Sequence, residues 1–442
     1  MSWRSIGVRF LVLITLVSLS IPHVQSQQLS AEDRARALQM LDDVAKDIQK
    51  HYYDPKFHGV DWDATVREAK EKIKSSPSLN MALAHIAQAM VSLNDSHTFF
   101  LPPSRPYVHD YGYQTKMIGD KCYVIRVRPG SDAETKGLKP GDQLVTWDGY
   151  PPNRETLWKM QYRYNVLRPE PKVELALRDV QGQPRQVEVL AKFKEHAHVK
   201  DVTGNGIWDL VRDEETQEHL ERPRWAEAGD DVWILKLPVF MFNQAEVDEM
   251  INKARKRSAF ILDLRDNPGG AVDTLKYLLG GIFEKDVKIS DRVGRKEKET
   301  KPEIAKSRNH GVFTGKLVVL VDSGSASAAE LFARTVQLEK RGVVVGDRSS
   351  GSVMEAKRYG YSQGMDVKIF YGAEITEADL IMSDGKSLEH GGVTPDELAL
   401  PTAADLAAGR DPVLSRAAAM LGATLTAEDA GKLFPYEWPK EP

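Results

Sequence analysis

The 442-residue sequence predicts an α/β multidomain protein, and three changes of texture carry that expectation. Residues 231–402 alternate apolar β-type runs with amphipathic helical stretches, as parallel βαβ units do. Residues 105–193 are short β-type runs broken at Gly and Pro, which reads as a separate β domain. Residues 27–104 hold three stretches of helical periodicity, an N-terminal helical region. A polar connector, 194–230, and a C-terminal tail, 403–442, complete the division.

Residues 1–26 stand apart from all of these. Arg4 and Arg9 precede a mostly apolar run from Phe10 to Ile21, and Val24-Gln25-Ser26 offers small residues at a cleavage point. This is the pattern of a secretory signal peptide, and it predicts an exported, periplasmic or extracellular protein with no stable membrane anchor. Its removal takes away two arginines and no acids, so the net charge of −4 becomes −6. That acidity argues against nucleic acid as a partner. Cys122 is the sole cysteine, which excludes an internal disulfide.

In the helical region Ala37, Leu38, Leu41, Val44, Ile48 and Tyr52 recur at spacings of three and four, predicting a helix over 31–54. Further helices are expected over 61–75 and 79–93. Pro102 and Pro103 then stop regular structure. Just before them His97 sits between Asp95-Ser96 and an apolar run, either as a functional group or as an ordinary loop residue. In the β domain the strand candidates are Cys122–Val127, Gln143–Gly149, Lys172–Leu177 and Arg185–Leu190. Between the first two, a short helix over 133–136 is stopped by Gly137 and followed by a Pro140-Gly141-Asp142 turn. The connector carries Glu214, Glu215, Glu218 and Glu221, a solvated charge cluster. Its histidines, His196, His198 and His219, lack accompanying cysteines, so no metal is expected.

Strands are expected over 231–240 and 259–265, with a helix over 244–256 between them. Asp266–Phe283 is a Gly turn entering a helix. Lys316–Val321 is a buried strand, Ser323–Arg341 a helix with Leu331, Phe332, Val336 and Leu338 on its apolar side, and Gly342–Asp347 a further strand. One helix, 411–421, is expected in the tail. The two Gly-containing turns, at Gly269-Gly270 and around Gly324, each join a strand end to a helix start. In a parallel sheet such ends lie on one side, where ligands bind. Glycines there leave backbone N–H groups free to point outward, which suits an oxyanion. A hydroxyl at the helix start gains from the positive end of the dipole. Ser323 or Ser325 serving as an ordinary cap is the plainer alternative. The lysine and spacing of a P-loop are absent, and no G-x-S-x-G surrounds Ser325 or Ser327.

Taken together, DLRDNPGG (263–270), GSASAAE (324–330), VVGDRSSGSV (344–353), LEHGGVTPDE (388–397), the helical region and the β segment resemble the carboxyl-terminal-processing, or tail-specific, serine proteases, in that family's order. The resemblance implies a crotonase-like ββα protease core with an inserted PDZ-like domain over 105–193, which gates the site or presents protein tails to it. It makes Ser327 the nucleophile, with the N–H of Ala328 and that of Gly269 or Gly270 as the oxyanion hole. It implies no metal and no organic cofactor. The family's general base is a lysine 25 residues after the nucleophile; here that position is Ser352. A serine does not take a proton from another serine at neutral pH, and two readings follow. One is a catalytically inactive, PDZ-containing protein-binding scaffold. The other is a lysine-less, tricorn-like site in which the histidine of DSHT (95–98), His97, is the base and Glu389 the supporting carboxylate. The intrinsic pKa of imidazole, roughly 6.5, suits that task. Lys357 lies five positions past the lysine slot, about 16 Å along a strand, and His390 beside Glu389 is the weaker rival base. The expectation is an exported serine endopeptidase that cleaves unfolded or tail-tagged proteins through their C-terminal tails. His97 should then come within roughly 3–4 Å of the Ser327 hydroxyl in an active state.

Overall fold

The computed structural model describes residues 29–105, 107–195, 222–295, 301–308, 311–364 and 368–439. The segment expected to be a signal peptide, the three connector histidines and the connector's acidic cluster lie outside the described residues.

The apolar runs of the C-terminal half pair as their composition requires. A six-stranded sheet runs in the order Glu397–Leu398, Val343–Gly346, Lys316–Val321, Ala259–Asp263, Val232–Lys236, Arg224–Ala228. Every neighbouring pair is parallel except the last. Its central strands are covered on both faces, which is why they read as continuous Val, Ile and Leu rather than alternating. Helices Gln244–Ala254, Val272–Gly280 and Ala328–Leu338 bury Val247, Leu275, Leu278, Phe332 and Val336 against one face. On the other face Val413, Leu414 and Ala430 of the tail helices Pro412–Met420 and Ala427–Leu433 meet Ile261, Val318 and Leu320. The first strand ends at Lys236 instead of running to Phe240. Pro238 has no N–H to continue the ladder, and Phe240 returns only as a single bridge to Gly270.

A second sheet is built around the long strand Ile369–Met382, which pairs with Met354–Gln363 and with Val287–Gly294. It also pairs antiparallel with Phe99–Leu101, Phe99 opposite Glu374 and Leu101 opposite Gly372. The N-terminal helices Ala31–His51, Trp62–Lys74 and Leu79–Val91, capped by Ser30, Asp61 and Ser78, bury Leu41, Ile48 and Ile86 with Tyr371, Ala373 and Ile375 of that strand. Residues 95–98 are thereby pinned beside the C-terminal half.

The β segment forms a sheet of its own, antiparallel in the order Tyr113–Ile118, Lys121–Val127, Gln143–Trp147, Lys172–Arg178, Pro184–Leu190. Its core centres on Trp147, stacked on Tyr164 at 4.7 Å. Tyr113–Ile118, which sequence patterning passed over, is an edge strand. The whole is a mixed α/β multidomain fold with N-terminal helices.

Candidate active site

Strand Lys316–Val321 leads into a tight turn whose serines have separate tasks. Ser323 Oγ donates to the carbonyl of Met117 in the β domain at 2.5 Å. Ser325 Oγ accepts from Asp322 N–H at 2.9 Å and donates to Leu264 O at 2.8 Å. Neither caps the following helix. That helix starts at Ala328, and the residue at its N-terminal boundary is Ser327, whose carbonyl accepts from Glu330 and Leu331. Ser327 has φ 52° and ψ −118°, a conformation sparsely populated by residues with a Cβ and held only by its surroundings. It is a sharp strand-to-helix elbow without the usual flanking glycines. Ser327 and Glu330 form a capping box, and among the described residues Ser327 Oγ donates no hydrogen bond.

The glycine that makes room for this elbow comes from the other turn. At Gly269 (φ 101°) a Cβ would lie 2.6 Å from Ser327 Cβ and 3.0 Å from Ala328 N. The two turns therefore touch, and only glycine fits. Phe240 clamps the pair, donating its N–H to Gly269 O and accepting from Ala271 N–H, both at 2.7 Å. Of the expected donors, Gly269 N–H is committed to Asn267 Oδ1 at 2.8 Å. Gly270 N–H and Ala328 N–H have no partner among the described residues. The pair left for an oxyanion is thus Gly270 and Ala328.

Behind the elbow lies Glu330, fully buried. Its carboxylate accepts from Ser349 Oγ (2.5 Å), Gly351 N–H (2.8 Å), Ser352 N–H (2.9 Å) and Ser327 N–H (3.2 Å). Burial pushes this carboxyl up to about 7, against the pull of those four donors. Ser327 N–H is shared with the carbonyl of Ser352 at 2.8 Å. The position at which the resemblance expects lysine is therefore in contact with Ser327, and it carries a hydroxyl. Lys357 lies in strand Met354–Gln363, its ammonium over the Tyr359 ring.

The DSHT segment meets the 352–353 backbone through Glu389. Ser96 donates its N–H to Glu389 Oε1 at 2.7 Å and its hydroxyl to Glu389 Oε2 at 2.9 Å. The same hydroxyl is 2.7 Å from His97 Nδ1. A serine hydroxyl has one proton, here given to the carboxylate, so it accepts from Nδ1–H. In the neutral imidazole this bond places the proton on Nδ1 and the lone pair on Nε2. Glu389 Oε2 also accepts from Val353 N–H at 2.9 Å, next to Ser352. Burial raises the Glu389 carboxyl, while the Val353 and Ser96 donors oppose the rise. Asp95 Oδ1 accepts from His97 N–H at 2.9 Å and from Thr376 Oγ1 at 2.8 Å, locking the turn. No hydrogen bond joins His97 Nε2 to Ser327 Oγ in this structure. Ser96 was missed in the sequence; the signal was its place directly before His97. The rival, His390, points Nε2 at Asn94 O (3.0 Å) and lines the neighbouring cavity.

That cavity, ≈ 850 Å³, lies between the β domain and the core. Thr115, Lys116 and Trp158 line one side, Ser96, Gly324 and Ser352 the other. Among the described residues no group of three His, Cys, Asp or Glu is placed to hold a metal ion.

Residues 231–399 match peptidase family S41, and residues 33–74 match the tricorn protease C1 domain. The chain is 23% identical over 381 residues to the tail-specific protease of Haemophilus influenzae, covering 76% of this chain and 51% of that one. It is 26% identical over 375 residues to carboxyl-terminal-processing peptidase 2, chloroplastic, of Arabidopsis thaliana, covering 79% and 66%. The chain thus spans about half the length of the first relative and two thirds of the second. In fold it is similar to mature CPAF, with a TM-score of 0.65 at 16% identity over 85% of this chain and 94% of that one. The domain that carries the Ser327 elbow thus matches peptidase family S41, and most of the chain is similar to processing proteases.

Proposed function

We propose that the protein is an exported serine endopeptidase of the C-terminal-processing type, with Ser327 as nucleophile and a lysine-less base. The observation that carries this reading is the chain of hydrogen bonds Glu389–Ser96–His97, which engages Nδ1 and leaves Nε2 as the nitrogen that can take a proton. His97 removes the Ser327 proton as Oγ attacks a peptide carbonyl, and the oxyanion forms against the N–H groups of Gly270 and Ala328. His97 then returns the proton to the leaving amine, and water completes hydrolysis by the reverse path. Glu389, acting through Ser96, stabilises the transient imidazolium. Closing the gap between Nε2 and Oγ belongs to the substrate-bound state, since such contacts are often loose without substrate.

In this reading the β domain is a PDZ-like module inserted beside a crotonase-like core. Its edge strand Tyr113–Ile118 borders the cavity, as strand addition of a protein tail requires. Unfolded or tail-tagged proteins are the substrates. A second reading, an inert binding scaffold, draws on the serine at position 352 and on a Ser327 hydroxyl that donates to no base. Digestion of casein separates the two. Wild type should cleave it, while Ser327→Ala and His97→Ala should each lose at least about 10³-fold in rate. Equal residual activity in all three would leave the scaffold. Full activity in His97→Ala alone would remove the histidine from the mechanism.

A further inference from the structure

One side chain of the β domain, Lys116, touches both catalytic turns at once. In strand Tyr113–Ile118, Met117 packs in the domain's own interior and Lys116 faces the core. Its ammonium is bracketed by the carboxylates of Asp266 and Asp322, 2.6 Å from Asp322 Oδ2, with 16% of the side chain exposed. Each carboxylate belongs to one turn. Asp266, at φ 61°, opens the turn that carries Gly269 and Gly270. The next residue, Asn267, holds Gly269 N–H on its side chain and accepts Ala326 N–H on its carbonyl. Asp322 opens the turn to Ser327, and its Oδ1 accepts from both Asp266 N–H (3.0 Å) and Gly324 N–H (2.9 Å).

Two carboxylates in adjoining turns repel unless a cation lies between them, and the repulsion grows as water is excluded. The other cations nearby do not bridge the pair. Arg126 touches only Asp266, at 3.3 Å. Lys236 is engaged by Arg265 O at 2.5 Å and by Asp263. We propose that Lys116 is a positioning residue for the oxyanion site: by bridging Asp266 and Asp322 it fixes the spacing between Gly270 N–H and Ala328 N–H. The seated β domain thereby completes the active site as well as presenting substrate to it. This rests on Ser327 as nucleophile and on Gly270 and Ala328 as the donors.

The test is steady-state cleavage of an internally quenched peptide by full-length wild type, Ser327→Ala, Lys116→Met, Lys116→Arg and Asp266→Asn, with thermal melting of each. Lys116→Met and Asp266→Asn should lower kcat about ten- to a hundredfold, because a displaced donor acts on the transition state. KM should stay within about twofold, and Lys116→Arg should recover most of the loss. Combining Lys116→Met with Asp266→Asn should cost little more than either alone, since both break one bridge. Should Lys116→Met melt early, Asp266→Asn carries the same kcat test at an exposed residue. Wild-type kcat in Lys116→Met or Asp266→Asn overturns the proposal. So does a rise in KM at constant kcat, which would make Lys116 a substrate contact, or a failure of arginine to restore the rate. Activity surviving in Ser327→Ala would instead overturn the nucleophile assignment on which the proposal rests.

Discussion

At the scale of single residues, Ser96 is the group whose removal is most informative. It holds no reactive atom in the proposed mechanism, yet it passes the Glu389 charge to His97 and sets which ring nitrogen carries the proton. Ser96→Ala leaves Glu389 with its backbone donors, Ser96 N–H and Val353 N–H, so the fold should persist. The imidazole loses its orienting acceptor, and kcat should fall about 10- to 1000-fold with KM little changed. Progress curves on casein and on a short peptide check this, and an unchanged kcat would remove Ser96 from the relay. Ser352 marks the limit of residue-level reading. Its identity revealed that the expected lysine was missing, but only its carbonyl bond to Ser327 N–H located the slot.

At the scale of elements, the site is two turns packed against each other, and a methyl group separates function from failure. Gly269→Ala would push a carbon to 2.6 Å from Ser327 Cβ at a φ of 101°. We expect it to abolish cleavage and to lower stability by more than about 1 kcal/mol. Chemical denaturation with a parallel activity assay tests both, and wild-type activity would contradict the packing described. Glu330 ties the start of helix Ala328–Leu338 to the 349–352 loop and makes stability depend on pH. Its carboxyl is raised from 4.5 to about 7 in the folded state. The folded protein therefore binds this proton more tightly than the unfolded chain. The resulting stabilisation is fully present below about pH 4.5 and is lost as pH rises to about 7, at most ~3 kcal/mol. Glu330→Gln cannot titrate, so the stability of wild type relative to this variant should decline between pH 5 and pH 7.5. Melting curves across that range give the sign, and a relative gain with rising pH would contradict it.

At the scale of the whole molecule, the β domain is held on the core from two directions. The Lys116 and Arg154 ion pairs, to Asp266 and Asp322 and to Asp347, provide one and the C-terminal tail the other. Arg224 of the core donates to Pro435 O at 2.6 Å. Four residues on, Arg128 of the β domain donates to Pro439 O at 2.8 Å. Between them the Tyr436 ring lies under Arg126 at 4.1 Å and the Trp438 ring under Arg128 at 4.6 Å. Each such contact contributes about 0.5–1 kcal/mol at an exposed site. Replacing Tyr436 and Trp438 together by alanine should loosen the domain without unfolding the core. Hydrogen exchange over residues 113–128 should then rise, while protection of strands Ala259–Asp263 and Lys316–Val321 stays as it was. Unaltered exchange over 113–128 would show that the tail is not a fastener.

Local pattern was enough for much of this protein. Apolar runs bounded by Gly and Pro gave the parallel strands, spacings of three and four gave the N-terminal helices, and the small residues after Val321 marked a turn where a hydroxyl meets a helix start. These features depend on neighbours within a few positions, so periodicity and turn chemistry reveal them. What lies far apart in sequence was decided by packing. Phe99–Leu101 pairs with a strand more than 270 positions later and so delivers His97. Asn267 occupies Gly269 N–H, while Gly270 N–H has no partner among the described residues. Ser96 links Glu389 to the imidazole, and Lys116 crosses from one domain to another. None of these has a local signature, because each is a hydrogen bond, ion pair or strand pairing between segments whose proximity exists only once the sheets have assembled.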